Sequence, residues 1–355
     1  MQIEWLQIRQ VRNLLDVELQ ALHPGINVFY GPNGSGKTAI LEAIHCLSRC
    51  RSFRTARIDR VVNHQFPILQ VSAGLNHADF GKVTTGVERG NGHINIRFNN
   101  ASVNRVSVQA AQIPILTITP DSHELITGSP GHRRKWLDWA MFHMEHNYVE
   151  QWRSYHKALK QRNHLLKAGQ QQGLGAWESR LEEAAIAINQ ARQAYLGELL
   201  QQLRRVCEQL GVICPQVDYE QGWPAGRELG ACLQENRGMD AKLGRTRWGI
   251  HRSELAIKAD EGLVAHSYSR GQIRLLINAL SWAQAQVIHH RTGSPPVLLA
   301  DDLLAELDQA AKQQILGIYQ AYTGQVFITT THDPLVMNLP EGKLFHVEHG
   351  QVNLC

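Results

Sequence analysis

The residues from Gly31 to Thr38 have the types and spacing of a loop that holds phosphate groups. Glycines in such a loop let the backbone turn tightly and point successive N–H groups at one anion. A lysine at its end reaches the β- and γ-phosphates of a nucleotide, and the hydroxyl that follows completes the ligand shell of Mg²⁺. The loop consists of Gly31, Pro32, Asn33, Gly34, Ser35, Gly36, Lys37 and Thr38. We therefore expect a nucleotide and Mg²⁺ here, with Lys37 as a catalytic cation and Thr38 as a metal ligand.

Two acidic residues near the end of the chain could supply the second half of this site. Asp301 and Asp302 directly follow the apolar run 297–300, which is typical of a buried strand. Asp301, at the end of that strand, would hold Mg²⁺ directly or through its water. Asp302 would lie nearer the γ-phosphate, where it could orient or deprotonate the attacking water. These roles make Asp301 a candidate metal ligand and Asp302 a candidate catalytic residue.

Three further segments follow the order expected of a nucleotide site. The tetrapeptide Ser269, Arg270, Gly271, Gln272 precedes an amphipathic helix, and the N-terminus of a helix can bind an anion. By itself it reads more simply as a helix cap, but its position upstream of the acidic pair favours a role at a nucleotide. The sequence 305–308, Ala-Glu-Leu-Asp, follows that pair. His332 ends the next strand and is a candidate γ-phosphate sensor, although a histidine in this position is more commonly a surface residue.

The elements that must position these residues alternate between strand and helix. The apolar run 26–30, the loop and the apolar run 39–44 form the order strand, loop, helix that phosphate binding requires. Apolar residues also predict strands at 3–9 and 14–19, an antiparallel sheet from 69–75, 83–87 and 93–98, and a buried strand at 113–119. After Arg252 the pattern predicts a helix at 272–290, a strand at 297–300, a helix at 308–322 and a strand at 326–330.

A helical segment interrupts this α/β pattern. From residue 131 to about 211, apolar residues recur at helical spacing, with a break at 169–175, which predicts two long helices that turn back on each other. The stretch 215–249 gives no clear assignment. The predicted organisation is an α/β head formed by 1–128 and 248–355, with a helical arm inserted at 129–247.

The ordered set of phosphate loop, S-x-G-Q segment, acidic pair, x-E-L-D segment and strand-end histidine resembles the ATP-binding-cassette (ABC) ATPases. Within that class, the chain most resembles the RecF recombination mediator family, and this resemblance extends over essentially the whole chain. The motifs that carry this closer resemblance are Ile8–Asn13, Leu41–Ile44, Ser52–Arg54, Gly128–Asp138 and Gly249–Arg252. The fold it implies is an ABC-type P-loop ATPase head, with a mixed sheet, an antiparallel β part and an inserted helical arm domain.

This resemblance implies ATP and Mg²⁺ as cofactors and adds Arg12, Asn13 and Asp308 to the cofactor-binding residues. It implies a homodimer that forms with ATP, in which the segment Ser269–Gln272 of one copy closes over ATP in the P-loop of the other. It further implies binding to duplex and single-stranded DNA at gap junctions, work with RecO and RecR to load RecA, and roles in replication restart and the SOS response. This chain has Asp302 where most transport cassettes have Glu, so we expect slow ATP hydrolysis.

Basic residues recur at intervals of three and four along the first predicted arm helix, and they suggest a surface for DNA. We call them the basic stripe: Arg153, Lys157, Lys160, His164 and Lys167. Arg133 and Arg134 add positive charge before it, and the arginines at 51, 54, 57 and 60 form a second group. A charged face of this kind can also be merely solvated. Since the sequence shows no aromatic-rich stacking platform, we favour contacts to the duplex backbone over intimate reading of single strands.

Composition excludes a membrane-spanning protein. The chain has 355 residues, a formal net charge of +4 and six scattered cysteines without zinc-site spacing. No apolar run approaches the ~20 residues that span a bilayer, and Glu4 and Arg9 interrupt the N-terminal region where a signal peptide would be apolar. We therefore expect a cytoplasmic protein with reduced thiols and no membrane partner.

Two other functions remain open from the sequence. The ATPase subunit of a transporter would share the head, but it places far less chain between its P-loop and its signature segment, and this arm is hydrophilic. A nucleotide-gated scaffold would bind ATP and partners without hydrolysing ATP. P-loop kinases are disfavoured because they have no use for the segment Ser269–Gln272 before the acidic pair.

Overall fold

The structure is a computed structural model that describes residues 1–259, 262–305, 307–332 and 342–355. Glu306 of the x-E-L-D segment therefore lies outside the described residues. The strands are β1 Gln2–Val11, β2 Leu14–Leu19, β3 Ile26–Tyr30, β4 Leu69–His77, β5 Gly81–Gly90, β6 His93–Phe98, β7 Ala101–Ser102, β8 Ile115–Ile118, β9 Gln216–Glu220, β10 Glu254–Ala259, β11 Gly262–Leu263, β12 Val297–Ala300, β13 Val326–Thr330, β14 Gly342–Glu348 and β15 Gln351–Leu354. The α-helices are α1 Lys37–Arg49, α2 Val106–Gln112, α3 Glu124–Thr127, α4 Pro130–Met144, α5 Tyr148–Lys167, α6 Leu174–Gln209, α7 Leu229–Glu235, α8 Arg237–Leu243, α9 Val264–Ser267, α10 Arg270–Thr292 and α11 Gln309–Gln320.

These elements form two compact units. The first unit contains 1–122, 209–211 and 274–355, and the second contains 123–208 and 212–273. The predicted arm was 129–247, so the second unit includes residues on both sides of that range. In particular, the segment 248–273, which the sequence placed in the head, belongs to the second unit, where β10 pairs with β9.

A mostly parallel sheet carries the functional edge of the first unit. Its strand order in the described residues is β15-β14-β3-β13-β12-β8, and only β15 runs antiparallel to its neighbour. The register pairs Tyr30 with Thr330 and Ala300 with Ile328, so β3, β12 and β13 end at the same edge. In parallel sheets, the carboxyl ends of the strands are where ligands bind. The apolar runs that predicted these three strands are buried along nearly their whole length.

An antiparallel sheet and helix α1 complete the core of the first unit. The second sheet has the order β2-β1-β4-β5-β6-β7. Ile40, Leu41 and Ile44 of α1 are fully buried in the same apolar cluster as residues of both sheets. Even His45 of α1 is buried, where it bonds the Thr117 hydroxyl at 3.0 Å, and burial lowers its pKa to about 3. Helix α1 is therefore held firmly behind the phosphate loop from which it starts.

The sequence predicted two long helices between residues 131 and 211. The structure divides the first of them into α4 and α5, with residues 145–147 between them, and forms the second as α6. Contacts link Arg162 to Glu178 near the turn and Tyr148 to Arg192 farther away, so α5 and α6 run antiparallel. The turn between them contains two glycines with positive φ, Gly169 and Gly173. The stretch 215–249, which the sequence left unassigned, forms β9 and two helices of seven residues, α7 and α8. Such short helices give too few repeats for a periodic pattern. Among the described residues, no helix combines the length and apolar character needed to cross a membrane.

Candidate nucleotide-binding site

The phosphate loop leaves β3 at the shared strand edge and enters α1 at Lys37. Gly31 has φ +147°, and a Cβ atom there would lie 2.1 Å from the carbonyl oxygen of Val347. Only glycine fits this close approach. Gly36 precedes α1 without a side-chain cap, and the first turn of the helix contains no acidic residue. The N-terminal N–H groups of α1 and its positive dipole end are therefore left for an anion.

Lys37 and Ser35 provide polar groups inside the loop. The Lys37 ammonium donates to the carbonyl oxygens of Gly31 and Pro32 at 2.8 and 2.7 Å. Burial lowers the pKa of Lys37, while the carboxylates of Asp302 and Asp301 oppose this shift. Within the described residues, the buried hydroxyl oxygen of Ser35 has no hydrogen-bond partner. This donor set fits a polyphosphate, because phosphate oxygens can accept from the ammonium, the hydroxyl and the backbone together.

Asp301 connects the strand β12 to the phosphate loop. Its Oδ1 accepts hydrogen bonds from the hydroxyls of Thr38 at 2.8 Å and Thr329 at 2.7 Å. Burial raises the pKa of Asp301, and the two hydroxyl bonds oppose the shift. A hydroxyl and a carboxylate oxygen are hard ligands of the kind Mg²⁺ prefers. The residues present therefore fit a Mg²⁺ ion held by Thr38 and Asp301.

Asp302 follows with a left-handed backbone, φ +51°, and its amide donates to the Thr329 hydroxyl at 2.8 Å. Asp302 lines the same cavity as Lys37 and Thr38. The structure thus brings together the loop residues, both acidic residues and a threonine, Thr329, to which the sequence had assigned no role.

The cavity has a volume of about 500 Å³, within the range of small-molecule sites. Besides residues already named, it exposes Phe53, Arg54, Thr119, Asp121 and Thr331. The sequence analysis assigned no role at the nucleotide to Phe53, Arg54, Thr119 or Thr331. The available signal for Phe53 and Arg54 was the family motif at 52–54, which did not by itself indicate a position beside the phosphate loop.

Arg12 and Asn13 also line this cavity, and both are held in place from behind. Arg12 donates through Nε and Nη2 to the two carboxylate oxygens of Glu42, at 2.9 and 2.8 Å, and Glu42 is completely buried. The Ser52 hydroxyl donates to the same carboxylate and accepts the backbone N–H of Arg54. Asn13 donates to the carbonyl oxygen of Ser35 at 3.0 Å. Glu42 therefore fixes both Arg12 and the loop that carries Arg54.

The segment Ser269–Gln272 forms a capping box in the second unit. The Ser269 amide donates to Gln272 Oε1 at 2.8 Å, and the Gln272 amide donates to Ser269 Oγ at 3.3 Å. This reciprocal pair defines the start of α10. Ser269, Arg270 and Gln272 are exposed, and Gly271 is half-buried.

Asp308 and His332 lie outside the cavity lining. Asp308 caps α11, where its carboxylate accepts the Ala311 amide at 2.8 Å. His332 is exposed, and its amide donates to the Thr330 hydroxyl. The structure gives each a local contact but does not bring either side chain to the phosphate loop.

The basic residues predicted to contact DNA divide into two groups in the second unit. Arg133 is mostly buried and pairs with Glu254 through two hydrogen bonds of 2.7 and 3.0 Å, and Arg134 donates to the Ser253 carbonyl at 2.7 Å. Both side chains therefore join α4 to the start of β10. In contrast, every residue of the basic stripe on α5 is exposed. Arg162 of the same helix is wholly buried and bonded to Glu178 and Asp240.

Comparisons with known proteins agree with this arrangement. The family model "RecF/RecN/SMC N terminal domain" matches residues 2–353. The chain is 34% identical to DNA replication and repair protein RecF of Marinomonas sp. (strain MWYL1), over 98% of this chain and 96% of that protein. It is 35% identical to the protein of the same name from Nitrosococcus oceani, over 99% of each chain.

Solved structures with the same fold include RecF and SMC heads. The recombination mediator protein RecF-ATPrS in RecFOR pathway has a TM-score of 0.84 and 25% identity, with 99% of this chain and 97% of that chain covered. The Smc head domain with an extended coiled coil from Pyrococcus furiosus has a TM-score of 0.63 and 16% identity, covering 100% and 96%, and it supports the fold alone. The predicted fold class, an ABC-type ATPase head, is confirmed. With sequence motifs, full-length relatives and fold in agreement, the chain belongs to the RecF/RecN/SMC N terminal domain family, among the RecF proteins.

Proposed function

We propose that this protein is an ATP-dependent recombination mediator. It binds ATP with Mg²⁺, hydrolyses the ATP slowly and binds DNA while ATP is bound. The observation that carries the proposal is the hydrogen bond between Thr38 and Asp301, which lie 263 positions apart. It joins the phosphate loop to the acidic strand end, the two parts that phosphoryl transfer needs. Two of the solved structures that this chain resembles are described as RecF-ATP and RecF-ATPrS, and these descriptions support ATP as the nucleotide.

The residues around the cavity would divide the chemical work. Lys37 and the N–H groups at the start of α1 would bind the β- and γ-phosphates and stabilise charge that develops on them. Thr38 and Asp301 would hold Mg²⁺, which supplies Lewis-acid polarisation of the phosphate oxygens when bound. Asp302 would accept a hydrogen bond from the attacking water and orient it. The water would then attack the γ-phosphate directly, without a covalent intermediate on the protein.

A second copy would complete the site. The exposed capping box Ser269–Gln272 presents the N-terminus of α10, whose N–H groups and positive dipole end suit the γ-phosphate. In this proposal the segment from one copy closes over ATP held by the other, so ATP joins the copies and hydrolysis releases them. Asp308 and His332 would contribute only in that closed state, since neither lines the cavity of the single chain.

The DNA surface we propose is the basic stripe on α5. Its exposed cations would contact backbone phosphates, which gives affinity for duplex and single-stranded DNA without reading sequence. The names of the relatives refer to DNA replication, DNA repair and the RecFOR pathway, which supports DNA as the ligand and RecO and RecR as partners. As further parts of the proposal, the protein acts at gaps in DNA, promotes RecA loading and works in the cytoplasm. Arg133 and Arg134 are left out of this proposed surface, because their guanidinium groups are engaged inside the second unit and Glu254 neutralises Arg133.

The dimer can be tested by light scattering of the purified chain with and without ATP and Mg²⁺. We expect the mass to double with ATP, and the change Ser269→Arg to prevent this by filling the anion position with a cation-bearing side chain. Ser267→Arg, at an exposed position two residues earlier, is the matched control and should still dimerise. If the mass is the same with and without ATP, or if Ser269→Arg dimerises as wild type does, the proposed shared site is wrong.

A scaffold that binds ATP without hydrolysing it is the second candidate, and the shorter side chain of Asp302 favours it over a fast ATPase. The change Asp302→Asn discriminates between the two. In the enzyme it should trap the ATP-bound dimer and prolong its lifetime, whereas in the scaffold that lifetime should be the same as in wild type.

A further inference from the structure

Asp302 is held in an uncommon backbone conformation by groups that surround its peptide units. Its φ of +51° lies in the left-handed region, which residues other than glycine adopt uncommonly. Since the direction of the carboxylate follows from the backbone, whatever maintains this conformation also aims the side chain. The contacts that do so involve three other residues.

The amide of Asp302 donates to the Thr329 hydroxyl at 2.8 Å, and its carbonyl oxygen accepts from the Ala305 amide at 3.2 Å. The same carbonyl oxygen also accepts a hydrogen bond from the guanidinium of Arg274. Thr329 and Ala305 belong to the strand end and to the turn that begins at Asp302. Arg274 is different, because it reaches this carbonyl from helix α10.

Arg274 is itself anchored in the core of the first unit. Its carbonyl oxygen accepts from Asn278 Nδ2 at 2.8 Å, and Asn278 Oδ1 accepts from the Tyr319 hydroxyl at 2.8 Å. Asn278 and Tyr319 are both buried. The helix turn that carries Arg274 is therefore tied to α11 and offers a fixed charged donor, which is stronger than a neutral donor.

We propose that Arg274 is a positioning residue for ATP hydrolysis, which holds the Asp302 carbonyl so that the Asp302 carboxylate points at the attacking water. This inference rests on the proposed function, since it assumes that Asp302 orients that water. Arg274 does not line the nucleotide cavity, so it acts through Asp302 and not on ATP. Its loss lets the peptide after Asp302 rotate, which displaces the carboxylate while the phosphate loop and the Mg²⁺ ligands stay in place.

The test compares Arg274→Gln, Arg274→Lys and wild type in single-turnover hydrolysis of labelled ATP, alongside ATP binding measured with a fluorescent analogue. We expect the single-turnover rate constant of Arg274→Gln to fall about tenfold, because a small misplacement of a reacting group slows the reaction. The Kd for ATP should stay within about twofold of wild type, and Tm within about two degrees. Arg274→Lys, which keeps a charged donor, should recover at least part of the rate. Arg291→Gln, in the last turn of the same helix, is the control and should hydrolyse ATP at the wild-type rate.

A double variant asks whether Arg274 works through Asp302. In an Asp302→Asn background, Arg274→Gln should lower the rate no further, because residues that act as one unit are not additive. An equal rate constant for wild type and Arg274→Gln overturns the inference, as does an Arg274→Gln defect that lies mainly in Kd or Tm. If wild type itself shows no hydrolysis, the proposed ATPase function fails instead, so the two failures are distinct.

Discussion

The Thr38 hydroxyl donates a hydrogen bond of 2.8 Å to the Asp301 carboxylate, although the two residues come from opposite ends of the chain. Asp301 follows β12 and Thr38 follows the loop after β3, and the sheet places both strand ends at one edge. The helical segment between them is thus an insertion that leaves the site intact.

The first prediction concerns Lys37, whose ammonium bonds only backbone carbonyls of its own loop among the contacts described. Lys37→Met should weaken ATP binding on the order of a hundredfold, because a charged donor to the phosphates is lost. Tm without nucleotide should not fall, since the change also removes a buried charge. Fluorescence titration with an ATP analogue measures the affinity. Lys82→Met, at an exposed position outside the cavity, should bind as wild type does; equal affinity of Lys37→Met and wild type would contradict the site.

The second prediction follows from the raised pKa of Asp301. Because the folded chain binds this proton more tightly than the unfolded chain, the stability that Asp301 contributes is complete below its ordinary pKa of 3.8 and is lost as pH rises through the raised value. At neutral pH its ionised form therefore opposes folding. Asp301→Asn should therefore raise the free energy of unfolding without ligand at pH 7.

This gain should shrink as pH falls through the pKa of Asp301, which thermal unfolding at several pH values can follow. Asp301→Asn should at the same time lose most of the extra stabilisation that ATP with Mg²⁺ gives the wild type. A lower Tm of Asp301→Asn at pH 7 would contradict the destabilising effect of the buried carboxylate. Full stabilisation of Asp301→Asn by ATP with Mg²⁺ would contradict its role as a Mg²⁺ ligand.

The third prediction compares a buried and an exposed ion pair of the same chemistry. Glu42 is completely buried against Arg12, whereas Asp16 is 61% exposed in its pair with Arg9. Glu42→Ala leaves a cation without its partner and should lower the free energy of unfolding by about 3 kcal/mol. Asp16→Ala should cost less than about 1 kcal/mol. Urea unfolding measures both, and equal losses would contradict the structural role of Glu42. We also expect weaker ATP binding by Glu42→Ala, because Arg12 and Arg54 line the cavity.

The fourth prediction concerns the basic stripe. Neutralising Arg153, Lys157 and Lys160 together with Gln should weaken DNA binding and reduce the slope of log affinity against log salt by about three. The matched control neutralises Arg9, Lys82 and Arg227, three exposed cations outside the stripe, with the same change in net charge. Fluorescence anisotropy with a labelled gapped duplex measures both. An unchanged slope in the stripe variant would mean that this face is only solvated.

Much of the fold was predictable because its signals are local in the chain. The phosphate loop needs only its own glycines, Lys37 and Thr38, and β3, β12 and β13 are short, mostly apolar runs rich in the residues that favour buried strands. The breaks at glycines and the helical spacing likewise predicted α5 and α6. Helices of only about two turns, such as α7 and α8, are too short to show a helical spacing of apolar residues, so the sequence did not predict them.

The sequence by itself determined the family, the nucleotide loop and the acidic pair, because these depend on residue types at fixed spacing. Only the tertiary structure decided which residues are buried and paired when their partners are distant in the chain. Arg133 and Arg162 look like their neighbours in a basic helical sequence, yet Glu254 neutralises the first and Glu178 and Asp240 enclose the second. Phe53, Arg54 and Arg274 gained their positions in the same way. Charge and spacing are properties of the chain, whereas burial and pairing depend on which surfaces meet when it folds.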